Sequence, residues 1–131
     1  MAKVSRINRY SIDTANKYPN YLFVFGDNLV GRGQGGQAII RYCKNSFGIP
    51  TKKLPSSFPD AFFNDDQYEN NIEKIKEKID ELVLLSEDFE YVVFPEDGLG
   101  TGLAQLPQKA PKTYKFLVEY INSKFDQVYA V

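Results

Sequence analysis

Two short stretches concentrate the chemistry of this 131-residue chain. The first is GDNLVGRGQGG, from Gly26 to Gly36, and the second is EDGLGTG, from Glu96 to Gly102. Glycine admits positive φ and lets a ligand approach the backbone with no Cβ in the way. Successive N–H groups in such loops form a concave anion site, and two loops face to face can hold a pyrophosphate. In the first loop, Asp27 can touch a ligand amine or ribose, or cap the turn locally. Asn28 can both donate to and accept from a ribose hydroxyl. Gly26, Gly33, Gln34, Gly35, Gly36 and Gln37 complete that wall. Gly98, Leu99, Gly100, Thr101 and Gly102 form the other, with Asp97 at its start. GRGQGG is not a P-loop, because no Gly-Lys-Ser/Thr follows, and its spacing is not that of the dinucleotide fingerprint. The competing explanation is that the glycines only make tight strand-to-helix turns.

The elements that must position these loops can be read from periodicity. YLFVF (Tyr21–Phe25) and YVVFP (Tyr91–Pro95) are short apolar runs bounded by turn signals, as central strands buried on both faces should be. Each empties into one of the glycine loops. Val4–Ile12 reads as an edge strand, DTANKYPN as a loop, and FGIPTKK as a short strand or turn. A helix is expected from Gln37, on the stripe Ala38, Ile39, Tyr42, Cys43 and Phe47, adding free amides and a dipole to the first loop. The clearest helix lies within Asp66–Phe89, with Ile72, Ile75, Ile79, Leu82 and Val83 on one face. A third runs from about Lys109 to Lys124, and DQVYAV closes the chain as a strand. LPSSFPDAFFNDD (Leu54–Asp66) reads as an irregular loop folded onto the body, with a lid or subunit contact as its alternative role. Helices alternating with buried strands predict one domain over residues 1–131, a three-layer α/β/α sandwich with a mixed, mostly parallel sheet. In such sheets ligands bind beyond the carboxyl ends of the strands.

Composition narrows the function classes. Net charge is −1, which argues against a general nucleic-acid surface but not against one nucleotide-sized ligand. The chain has no histidine and one cysteine, Cys43, so a His triad, a His metal site, a Cys cluster and an internal disulfide are all excluded. No metal or cofactor is expected. A reducing cytoplasm fits the cysteine count. The N-terminal stretch has no long apolar core, so neither a signal peptide nor a membrane span is expected.

Asn28, Gly35, Gly36 and Ala38 after the first buried strand form a pattern that resembles the first ligand loop of macrodomains. Pro95, Gly98 and Gly100 after the second resemble their pyrophosphate loop. The segment VFGDNLVGR is similar to one in the terminal ADP-ribose protein glycohydrolase branch and in macrodomain-like proteins of bacteria and phages. The resemblance runs from about Ile7 to Ile121 and implies an ADP-ribose cleft between the loops. It implies that Asp13 contacts the adenine amine, that Asn28 lies near the distal ribose, and that Gly98–Gly102 wrap the phosphates. PTKK resembles the segment that carries a ribose-attacking lysine in the glycohydrolase branch, which makes Lys52 the candidate nucleophile. The branch's catalytic Asp at the end of the second loop is not matched, since GTGLAQL offers Gly102 or Ala104 there. Asp97 lies in the loop but earlier.

Binding of ADP-ribose or a related NAD-derived nucleotide, as a signal-sequestering or ADP-ribose-reading module, is therefore the leading expectation. An ADP-ribosyl glycohydrolase using Lys52, perhaps with Asp97, is the second. A non-catalytic interaction protein without a nucleotide ligand is the third.

Overall fold

The computed structural model describes residues 2–130. Met1 and Val131, the two ends of the expected domain, lie outside the described residues, and Val131 also ends the expected terminal strand.

Four strands form the sheet: β1 (Lys3–Ile7), β2 (Tyr21–Asn28), β3 (Ser46–Lys52) and β4 (Tyr91–Pro95), in the order β1-β4-β2-β3. Every neighbouring pair is parallel. The expected mixed sheet is corrected in that respect: among the described residues the only antiparallel pairing is an isolated bridge, Lys52 to Phe62. The two apolar runs occupy the inner positions, as their two-sided hydrophobicity requires. Leu22 and Val24 of β2, with Val92 and Phe94 of β4, face one cluster, and Phe23, Phe25 and Val93 face the other.

The first cluster is closed by two helices, α2 (Tyr68–Ser86) and α4 (Pro111–Phe125), with the one-turn α3 (Leu106–Lys109) beside them. Ile75, Ile79 and Leu82 of α2 and Leu117 and Ile121 of α4 are buried, following the 3.6-residue period read from the sequence. Each such side chain contributes roughly 1.5–3 kcal/mol relative to exposure. The second cluster is thinner. It is covered by α1 (Ile12–Lys17) through Ala15 and by a 3-10 turn, Gly36–Ile40, through Ala38 and Ile40.

Three local expectations are corrected. DTANKYPN is not all loop. Ser11 accepts the Thr14 amide at 3.0 Å and starts α1, with Asp13 in its first turn and Lys17 in its last. The helix expected from Gln37 is only the 3-10 turn, after which Tyr42 is 76% exposed and Phe47 belongs to β3. Buried Asn45 explains the early stop, because its amide donates to the carbonyls of Ala15, Tyr18 and Tyr21 and pins the chain where β3 begins. Residues 126–130 are not a strand either. Asp126 and Gln127 take left-handed φ of 60° and 54°, and Asn122 holds the Tyr129 backbone on both its N–H and its C=O.

The connections define where a ligand can enter. From β2 the chain leaves toward the cluster of Ala38 and Ile40, whereas from β4 it leaves toward the cluster of Leu106 and Leu117. Adjacent parallel strands whose exits go to opposite faces leave a crevice beyond their carboxyl ends. β2 pairs with β4 only over Tyr21–Phe23, so the two strands part before their glycine loops.

Candidate functional site

A cavity of about 510 Å³ opens at that crevice. From the first loop it is lined by Gly26, Asp27, Asn28, Gly33, Gly35, Gly36 and Gln37, and from the second by Gly100 and Gly102. Lys52, at the end of β3, also lines it. These residues were named from the sequence, and one cavity brings them together. Six others do not line it. Asp13 is exposed on α1, and Gln34 lines a separate hollow of about 370 Å³ beside Tyr42. Asp97 is exposed, and its charge acts on Tyr129. The Leu99 side chain is in the core, the Gly98 carbonyl faces Gln37, and the Thr101 hydroxyl donates to the Asp97 carbonyl at 2.8 Å.

The first loop is held by its own polar side chains. Asp27 pairs with Arg41, whose Nη1 donates to Oδ2 at 3.0 Å and whose Nη2 donates to Oδ1. The Arg41 side chain is 9% exposed and lies 5.3 Å from the centre of the Phe25 ring. It also donates to the carbonyls of Gly33 at 2.7 Å and Arg32 at 3.1 Å. Asp27 in turn needs the bare backbone of Gly48, since a Cβ there would sit 2.4 Å from Oδ2. Asn28 donates to the Arg32 carbonyl at 2.7 Å and accepts from the amides of Val30 and Gly31. That is an Asx-type staple. Its two acceptor positions and one of its two donors are occupied within the loop, so the ribose-reading role expected of it is left with a single N–H.

Gln37 joins the two loops. Its Oε1 accepts from the Gly26 amide at 2.9 Å, and its Nε2 donates to the Gly98 carbonyl at 3.0 Å. Behind this tie the backbones almost touch: a Cβ on Gly26 would lie 3.4 Å from the Gly100 nitrogen. Gly100 has φ +77°, and a Cβ there would meet Thr51 Cβ at 2.9 Å and Leu106 Cβ at 3.0 Å. No residue but glycine fits at Gly100.

The amides of Gly35, Gly36, Gln37, Gly100, Thr101 and Gly102 donate to no acceptor among the described residues. The 3-10 turn is too short for a useful dipole, so the dipole expected of a helix there is corrected to free amides alone. The side-chain charges on the cavity wall are three cations, Arg32, Arg41 and Lys52, against one carboxylate, Asp27, which Arg41 already neutralises.

The Lys52 ammonium donates to the Ser56 carbonyl and lies 4.7 Å from the centre of the Phe62 ring. Burial lowers its pKa, because an ammonium is less stable away from water. No free carboxylate accompanies it on the cavity wall. No aromatic side chain lines the cavity, and Tyr129 is buried with its hydroxyl donating to the Pro95 carbonyl at 2.6 Å.

Sequence reasoning missed Arg41, which was counted in no site and sat on an expected helix. Only the structure pairs it with Asp27, fourteen positions earlier. Thr51, Pro55, Leu103 and Gln105 were likewise not assigned to a ligand wall.

Fold and site together define an α/β domain with a cationic crevice at the carboxyl ends of two diverging parallel strands. The chain belongs to DUF7831, a family of unknown function, which it matches over residues 6–120. No curated protein and no solved structure matches it.

Proposed function

We propose that the crevice binds ADP-ribose or a related NAD-derived nucleotide, with its diphosphate between the two glycine loops. One observation carries this reading: five free backbone amides from two loops, those of Gly35, Gly36, Gln37, Gly100 and Gly102, belong to the wall of a single cavity that carries excess positive charge and no free carboxylate. Backbone amides and ammonium groups are the ligands an oxyanion uses. The volume, about 510 Å³, suits a ligand of dinucleotide size. On this reading the thin cover of α1 and the 3-10 turn is the third layer of a macrodomain-like α/β/α sandwich. The protein acts as a module that sequesters an NAD-derived signal or reads ADP-ribose. The single cysteine fits the cytoplasm. Among the described residues no helix is long and apolar enough to cross a membrane.

Lys52 favours a second reading, an ADP-ribosyl glycohydrolase in which its amine attacks the distal ribose. Its lowered pKa and lack of a carboxylate partner suit a nucleophile. The departing group would still need a proton. Asp97 lies exposed outside the cavity lining, and Asp27 is committed to Arg41. General acid catalysis needs a group within hydrogen-bond reach, so binding is the better-supported function.

Titration calorimetry with ADP-ribose tests the first reading. Saturable one-to-one binding is expected, and no heat at millimolar ligand overturns it. An assay on ADP-ribosylated protein tests the second, and turnover that survives Lys52→Ala would remove Lys52 from the chemistry.

A further inference from the structure

We propose that the site recognises the diphosphate and ribose of its ligand and is indifferent to the base, so that adenine and uracil diphosphate riboses are equivalent ligands. This rests on the nucleotide-site reading above and goes beyond it by naming the ligand class. A protein distinguishes bases by offering free, fixed donors and acceptors to their edges. A site built on such groups rejects the wrong partner strongly, because its own buried polar atoms are then left unpaired.

In this cavity the side chains suited to that task are already occupied. Both Asp27 oxygens are taken by Arg41, and Oδ1 also accepts the Asn28 amide at 2.7 Å. Asn28 spends its oxygen on Val30 and Gly31 and one donor on Arg32, which leaves a single N–H. Gln37 spends its oxygen on Gly26 and a donor on Gly98. The Thr51 hydroxyl is buried and donates to the Asp27 carbonyl. Rotating any of them toward a base would break a bond that holds a loop.

What remains free is suited to phosphate and sugar: backbone amides, the Lys52 ammonium and the Arg32 guanidinium. Arg32 and Gln105 have no side-chain hydrogen bond to the protein among the described residues, but both are exposed, and a bond made in water discriminates little. The apolar part of the mouth, Leu103 at 68% exposure and Pro55, touches any flat ring alike. Asp13, to which the macrodomain resemblance assigns the adenine amine, is exposed on α1 and outside the cavity lining.

The test is calorimetry on the full chain with three probes: ADP-ribose, uridine diphosphate ribose and adenosine. The two diphosphate riboses are expected to bind within about threefold of each other, with no binding of adenosine at millimolar concentration. A preference of about tenfold or more for either base, or binding of adenosine comparable to ADP-ribose, overturns base indifference and leaves the nucleotide site standing. Failure of both diphosphate riboses to bind overturns the nucleotide site itself and this inference with it.

Discussion

The two glycine loops border one cavity but are held by opposite means. Gly26–Gly36 is braced by polar side chains: the Asp27–Arg41 pair, the Asn28 staple and one end of Gln37. Its residues from Leu29 to Gly36 are exposed. Gly98–Gly102 is fixed by packing. Leu99 is 1% exposed, Leu106 is fully buried, and Gly100 is wedged against Thr51. A braced loop can yield when one charge is removed, whereas a packed loop can yield only at the expense of the core. The first loop is therefore the adjustable side of the crevice and the second its fixed side.

The largest effect should come from the brace. Arg41→Met leaves the mostly buried Asp27 carboxylate unpaired, and a loss of roughly 3–5 kcal/mol is expected by urea unfolding. Hydrogen exchange should speed up at the bonded amides of Leu29, Val30 and Gly31 and not at that of Gly98. Equal acceleration in both loops would erase the contrast. Arg41→Lys should recover only a minor part, since an ammonium cannot make the paired contact to both carboxylate oxygens.

Gly100→Ala tests the packed side. Positive φ and two Cβ clashes below or at 3.0 Å should cost about 3 kcal/mol and lower global stability, with no selective loosening of the first loop. A change within a few tenths of a kcal/mol would mean that the second loop is not wedged.

Gln37→Ala removes the tie between the loops and leaves the Gly26 amide and the Gly98 carbonyl without their partner. About 2 kcal/mol is expected, with a weaker ligand affinity measured alongside. If affinity holds while stability falls, the spacing of the loops is set by packing alone.

The smallest effect is a pH dependence. Burial places the folded pKa of Lys52 below its unfolded value of 10.5. Between the two the unfolded chain binds more protons, so Lys52 makes stability rise with pH through that alkaline window. Affinity for an anionic nucleotide runs the other way and falls as the ammonium is lost. Lys52→Met should flatten both slopes, and an unchanged binding profile would detach Lys52 from the ligand.

Much of the frame was legible because its signals are local and periodic. The runs around Leu22–Phe25 and Val92–Phe94 read as buried strands, and the stripe Ile75, Ile79, Leu82 read as a helix face. Short elements were harder. α1 has only six residues and depends on the Ser11 cap, and the stripe after Gln37 came from a 3-10 turn followed by the start of β3. The cavity wall was partly legible, since glycines at strand ends mark themselves. The side-chain roles were not. Whether Asn28 reads a ligand or staples its own loop depends on where the Arg32 carbonyl lies, and Arg41 acquires its partner only after the chain has turned back on itself.

The most direct test of the central claim is a nitrogen-proton amide spectrum of the labelled protein titrated with ADP-ribose. The account predicts that the largest saturable shifts fall at Gly35, Gly36, Gln37, Gly100 and Gly102, from both loops and with one common affinity. No shift at saturating ligand, or saturable shifts confined to residues away from both loops, would contradict it.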